Sequence, residues 1–317
     1  MPGVFPFVGR ASRPEVELVF GHLDALVDRI GAASDPLAAL RRELHEYGRG
    51  NSGDGARLCR SVPVTSGDPQ GQWLVPPNAD IDRRLLYLHG GGWAGGSADG
   101  HRSLIAEIAL LTGQAVFGLD YRLAPEFPFP AGVEDALAAL DWIEAHGPYG
   151  RSEASEIGLL GDSAGANLAA AATADRLARD KSPPARLILI SAMLDLRDPQ
   201  RAVKGVRDRV VTGEVLAGSL AGYSGEVLDP GDVRVSPAAA PDAVLQRFPP
   251  TLIQVSSVEH LRDQSVRFAE ELWRNGVPAR LSVWPEMPHV WHLFMQDLRE
   301  ARQALEEIAG FMASTHA

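Results

Sequence analysis

Hydrophobic positions early in the chain recur at helical spacing. Val16, Val19, Phe20, Leu23, Leu26, Val27 and Ile30 predict an amphipathic helix over 14–31. A second helix is expected to start after Asp35, with Asp35 as its N-cap and Pro36 at the first helical position. Strand-like stretches follow at 61–65 and 72–75. From there short apolar runs alternate with helical patterns. Strands are expected at 84–88, 115–119, 156–160, 186–190, 251–255 and 279–284. Helices are expected near 103–112, 133–146, 163–179 and 263–275, with a last one from about Gln296. This alternation predicts an α/β protein with a mostly parallel sheet covered on both faces.

The rhythm breaks between about Leu196 and Pro249, a stretch rich in Pro, Gly and charge, with one helix expected, capped by Thr212 and running through Val215, Leu216 and Leu220. We read residues 1–50 as an N-terminal helical cap segment and 196–235 as a cap insertion. Residues 51–195 and 236–317 then form the catalytic body.

Composition narrows the function classes. Of 317 residues, 45% are hydrophobic and 22% charged, as in ordinary globular chains. Thirty basic against 41 acidic residues give a net charge of −11 and no basic stripe, which argues against a nucleic-acid partner. The start, Met1-Pro2-Gly3-Val4-Phe5, lacks the basic and apolar segments of a signal peptide, and no run reaches membrane-spanning length. A cytoplasmic protein without membrane insertion is expected. The single cysteine, Cys59, reads as a buried apolar residue, and no Cys/His cluster has zinc-ligand spacing. No metal or cofactor is expected.

The chemistry concentrates in two strings, each directly after an expected strand. Gly161-Asp162-Ser163-Ala164-Gly165 has the G-x-S-x-G form of a nucleophile elbow, and His89-Gly90-Gly91-Gly92-Trp93 that of a glycine-rich oxyanion loop. A lone G-x-S-x-G is weak evidence; the pair points to acyl transfer. No G-K-[ST] follows the glycine loop, so a phosphate loop is disfavoured. Serine needs a neighbouring base to take its proton. The candidate is a histidine after the last strand: His289, with His292 as a rival and His260 further away. The acid should lie between serine and histidine, on the loop after 251–255. Glu259, Asp263 and, more remotely, Asp195 are the carboxylates available.

With Asp120-Tyr121-Arg122-Leu123-Ala124-Pro125-Glu126 and Phe129-Pro130-Ala131, these motifs resemble the hormone-sensitive-lipase-like family of α/β-hydrolases over most of 80–295. The resemblance implies an α/β-hydrolase fold with a helical cap, esterase activity on smallish acyl groups, and homodimers through an edge strand. It implies oxyanion donors at Gly91, Gly92 and Ala164, and selects His289 as base. Relatives usually carry Asp-Pro-Leu at the acid loop. Aligning Leu261-Arg262-Asp263 with that pattern puts Glu259 at the acid, with one extra methylene.

His89 and the Tyr121–Glu126 segment read as structural, bracing the glycine loop. Asp162 reads as structural or solvated, and Tyr223 as packing within the cap. Trp93, Trp291 and Phe294 are candidates for lining a substrate pocket. The expected function is a carboxylic ester hydrolase using Ser163, His289 and Glu259 on short- to medium-chain acyl esters of small molecules. The alternatives are an inactive ligand-binding protein on the same fold, and a serine amidase or peptidase.

Overall fold

The computed structural model describes residues 13–50, 53–65, 67, 69–199, 201, 203–224 and 229–314. The Met1–Phe5 start and residues 200, 202 and 225–228 of the expected insertion lie outside them. Two helices, α1 (Arg13–Gly31) and α2 (Pro36–Gly50), and the single turn α3 (Asp54–Leu58) precede the sheet. Then come β1 (Arg60–Val64), β2 (Gly71–Val75), β3 (Asp80–Leu88), α4 (Arg102–Thr112), β4 (Gln114–Leu119) and α5 (Ala131–Ala145). A two-residue ladder, β5 (His146–Gly147) with β6 (Gly150–Arg151), leads to β7 (Glu156–Asp162), α6 (Ser163–Ala178) and β8 (Arg186–Ile190). The chain finishes with α7 (Gly213–Ser224), α8 (Asp242–Leu245), β9 (Thr251–Ser256), α9 (Arg262–Arg274), β10 (Ala279–Trp284) and α10 (Arg299–Ala313).

Among the described residues the main sheet has eight strands in the order β1-β2-β4-β3-β7-β8-β9-β10. β2 runs antiparallel to β1 and β4, and the other pairs are parallel. This is the α/β-hydrolase fold. The continuous apolar runs arise because both faces are covered. Alternate residues enter two cores. Leu86, Leu88, Leu159, Leu187 and Leu189 meet α5, α6 and α9, whereas Leu85, Tyr87, Leu160, Ile188 and Ile190 meet α1, α4 and α10. A one-residue slip would exchange the two sets.

The capping expectations hold: Asp35 Oδ1 accepts the Ala38 amide at 3.0 Å, and Thr212 Oγ1 accepts the Val215 amide at 3.2 Å. The last helix begins at Arg299 rather than near Gln296, because Trp291–Phe294 winds as a 3-10 turn first. Neither the β5–β6 ladder nor α3 was expected, both being too short for periodicity to register. Cys59 is buried, donates to the Ala106 carbonyl at 3.3 Å, and has its thiol pKa pushed by burial to about 11, which makes it inert. Among the described residues, no helix is long and apolar enough to cross a membrane.

Candidate active site

β7 ends at Asp162 and α6 begins at Ser163, which turns the chain through a left-handed backbone with φ +53°. A non-glycine residue held there is strained, and the surrounding packing must enforce it. Gly165 makes the turn possible, since a Cβ at that position would strike the Leu88 carbonyl oxygen of β3. The serine therefore stands at the carboxyl edge of the sheet, with a helix N-terminus behind it.

Three loops bring the other groups to it. His289, after β10, places Nε2 3.0 Å from Ser163 Oγ. Its Nδ1 lies 2.9 Å from Oε2 of Glu259, after β9. A carboxylate accepts only, so Nδ1 carries the proton and Nε2 is left to accept from the serine hydroxyl. Glu259 is fully buried. Its Oε1 accepts the Ser256 amide at 2.8 Å and the Ser191 hydroxyl at 2.9 Å. Ser191 Oγ in turn accepts the Val290 amide at 3.3 Å, which ties β8 to the histidine loop. Ser191 (φ +48°) and Val290 (φ +49°) are both left-handed, an unusual state for a β-branched residue. Burial opposes charge on His289. The hydrogen bond and charge of Glu259, with Asp208 and Asp162 beyond, nevertheless carry its pKa above the ordinary value.

The glycine loop is braced from several sides. Asp162 is buried, and its Oδ1 accepts the Gly90 amide at 2.9 Å and the Tyr87 hydroxyl at 2.6 Å, with His101 Nε2 at 3.7 Å. Burial works against the Asp162 anion, but His101 and Tyr87 hold its carboxyl below the usual range. His89 stacks on Tyr121 at 4.3 Å, and the Tyr121 hydroxyl donates to the His89 carbonyl at 2.7 Å. Burial and His101 depress the His89 pKa to about 3, as suits a neutral structural ring. From α2, Arg41 donates to the carbonyls of Ala94 (2.8 Å) and Ala124 (3.1 Å) and grips Glu126 with both terminal nitrogens.

A cavity of about 180 Å³ opens over Ser163 and His289. Gly91 and Gly92, with φ +122° and +61°, form one wall. Leu23 and Leu26 of α1, Leu40 and Leu44 of α2, and Val211 and Val215 from the insertion supply much of the apolar lining. Phe294 lines it as expected; Trp93 and Trp291 do not. Trp93 is buried against Tyr223 at 4.4 Å, and Trp291 against Trp284 at 5.8 Å, so both indoles are core residues and the pocket expectation for them is corrected.

The other candidates sit in different partnerships. His292 Nε2 binds Gln254 Oε1 at 2.8 Å, and burial depresses its pKa to about 3. His260 binds the Pro199 carbonyl at 3.1 Å. Asp263 pairs with Arg262 and Asp195 with Arg197, each at 2.8 Å. Sequence reasoning did not single out Ser191, His101 or Asp208. None lies in a motif, and only the crossing of loops brings them to the site.

A buried serine–histidine–carboxylate chain at the carboxyl edge of a parallel sheet defines a hydrolase class. A family described as alpha/beta hydrolase fold matches residues 85–293, and the chain belongs to it. It is 38% identical over 256 residues to an acetyl-hydrolase of Streptomyces hygroscopicus, covering 78% of this chain and 81% of that one. It is 33% identical over 242 residues to an esterase of Acinetobacter venetianus, covering 76% and 78%. The crystal structure of an esterase from the bacterial hormone-sensitive lipase (HSL) family superposes with a TM-score of 0.82 at 33% identity, over 94% of this chain and 97% of that one. A mutant of the esterase E40 superposes with the same TM-score, 0.82, at 33% identity over 96% and 98%. The protein is accordingly a carboxylesterase of the hormone-sensitive-lipase-like branch.

Proposed function

We propose that the protein hydrolyses short- to medium-chain carboxylic esters through a Ser163–His289–Glu259 triad and an acyl-enzyme. The continuous hydrogen-bonded chain from Ser163 Oγ through His289 to Glu259 carries this reading. His289 Nε2 removes the hydroxyl proton as Oγ attacks the ester carbonyl, and the proton then passes to the leaving alkoxide. Water repeats the sequence on the acyl-enzyme and releases the acid. Glu259 keeps Nδ1 protonated and stabilises the imidazolium. The amides of Gly91, Gly92 and Ala164 are our assignment for the oxyanion donors. In support, the two glycines border the cavity beside the serine and Ala164 lies in the first turn of α6, whose N-terminus favours negative charge.

In this reading residues 51–195 and 236–317 are the catalytic body. α1, α2 and the 196–235 insertion are the cap, because their side chains roof the cavity. Its small volume and apolar lining favour short acyl groups. The homodimer implied by the resemblance would form along β10, an outer strand of the sheet.

The test is turnover of p-nitrophenyl esters from two to sixteen carbons by the wild type and Ser163→Ala. Activity peaking at short chains and lost in the variant is expected. Equal rates from both proteins would overturn the mechanism. Comparable turnover of a matched anilide would favour an amidase instead.

A further inference from the structure

The insertion between β8 and β9 delivers one side chain to the triad that the mechanism above does not use. Asp208 is buried, with 7% exposure. A ring nitrogen of His289 and one carboxylate oxygen each of Glu259 and Asp208 lie within 4.8 Å of one another. Asp208 Oδ1 accepts the Val210 and Val211 amides at 3.1 and 2.9 Å, an ordinary turn contact. Its Oδ2 is buried with no hydrogen-bond partner among the described residues. A turn alone does not account for a bare carboxylate oxygen beside a second buried carboxylate, which costs desolvation and repulsion. The flanking cations do not compensate it. Arg207 pairs with Glu17 and Arg209 with Asp24 on α1, each at 3.1 Å. The positive charge that can form next to Asp208 is the imidazolium of His289.

We propose that Asp208 is a positioning residue that acts through His289. It is a second carboxylate, carried by the insertion, that steadies the imidazole between Glu259 and Ser163 and stabilises its protonated form. The proposal rests on the triad reading. No bond changes at Asp208: the proton travels from Ser163 Oγ to His289 Nε2 and on to the leaving alkoxide.

The charged groups facing His289 are Glu259 from the β9–α9 loop, Asp208 from the insertion and Asp162 at the end of β7, with His292 on its own loop. Asp208 faces His289 and Glu259. Burial and Glu259 raise the Asp208 carboxyl above its usual range while His289 lowers it, so the Asp208 anion is favoured most when the imidazole gains its proton. The insertion that carries Asp208 also meets α1 through the solvent-exposed Arg207–Glu17 and Arg209–Asp24 ion pairs.

Asp208→Asn keeps the volume and the Oδ1 acceptor but removes the charge. Wild type, Asp208→Asn, Asp208→Ala and Ser163→Ala are compared on p-nitrophenyl acetate for kcat, KM and pH profile, with Tm alongside. For Asp208→Asn, kcat should fall about tenfold with KM within about twofold, as for a weaker base in an intact pocket. Its acid limb should move about half a pH unit lower, because loss of the anion lowers the His289 pKa. Tm should stay near the wild type, whereas Asp208→Ala, which also strips the turn, should lose Tm. A wild-type rate and limb in Asp208→Asn, with Ser163→Ala inactive, overturns this proposal and leaves the triad standing. A rate loss that follows Tm with an unmoved limb reduces Asp208 to a turn residue and overturns it too. Activity in Ser163→Ala overturns both readings.

Discussion

The Asp162 carboxylate accepts the Gly90 amide at 2.9 Å, so the residue immediately before the serine holds the first glycine of the loop beside it. Two motifs 72 residues apart are thereby joined by a charge-assisted hydrogen bond. The buried anion is sustained by Tyr87 and His101.

Asp162→Ala, which removes the carboxylate acceptor, should therefore release the glycine loop while leaving the Ser163–His289–Glu259 hydrogen bonds in place. Loss of such a bond removes about 1.5–3 kcal/mol, and kcat should fall roughly 10- to 100-fold. Steady-state kinetics alongside burst titration of Ser163 with a phosphonate check this: the burst amplitude should persist while turnover slows.

The two acidic candidates on the β9–α9 loop separate cleanly. Glu259→Gln preserves shape but abolishes the ion pair with His289, and kcat should drop by about 10³–10⁴. Asp263→Ala, which removes only an exposed partner of Arg262, should stay within about twofold. Glu259→Asp, one methylene short, should fall between them.

The pH profile follows from the raised His289 pKa. The base works only when neutral, so kcat/KM should climb with pH through a value above the ordinary imidazole range of about 6.5. Because Glu259 raises that pKa, Glu259→Gln should shift the limb to lower pH. An unmoved limb would assign the titration to another group.

Stability should fall in acid for a related reason. His89 and His292 are buried and neutral, each with its pKa depressed to about 3. In the unfolded chain they take up protons near pH 6.5. Their contribution is thus fully present above pH 6.5 and lost progressively as pH falls toward about 3. Thermal melts from pH 7 to 4 should show Tm decreasing, and His292→Gln, which can still donate to Gln254, should flatten the slope.

Most of the fold was legible because apolar periodicity reports it directly. The runs at 84–88, 156–160 and 186–190 are strands buried on both faces, and their lengths and flanking loops leave little else. Trp93 and Trp291 were misjudged because an aromatic near a catalytic loop can face the cavity or the core, and its letter does not say which. Trp93 turns into a stack with Tyr223, which comes from the insertion more than a hundred residues later.

What the chain determines by itself is local: the strained serine turn, the glycines that let backbones approach, and the alternation that builds the sheet. Each is written in residue types a few positions apart, even where, as at Gly165, the backbone to be cleared is the distant Leu88. The choice of Glu259 over Asp263 as partner of His289, and the arrival of Ser191 and Asp208 beside them, are tertiary. Those groups come from separate loops after β8, β9 and β10, and only closure of the parallel sheet brings the loop ends to one edge. A hydrogen bond demands placement to a fraction of an ångström, which the packing of those strands decides and residue type alone does not.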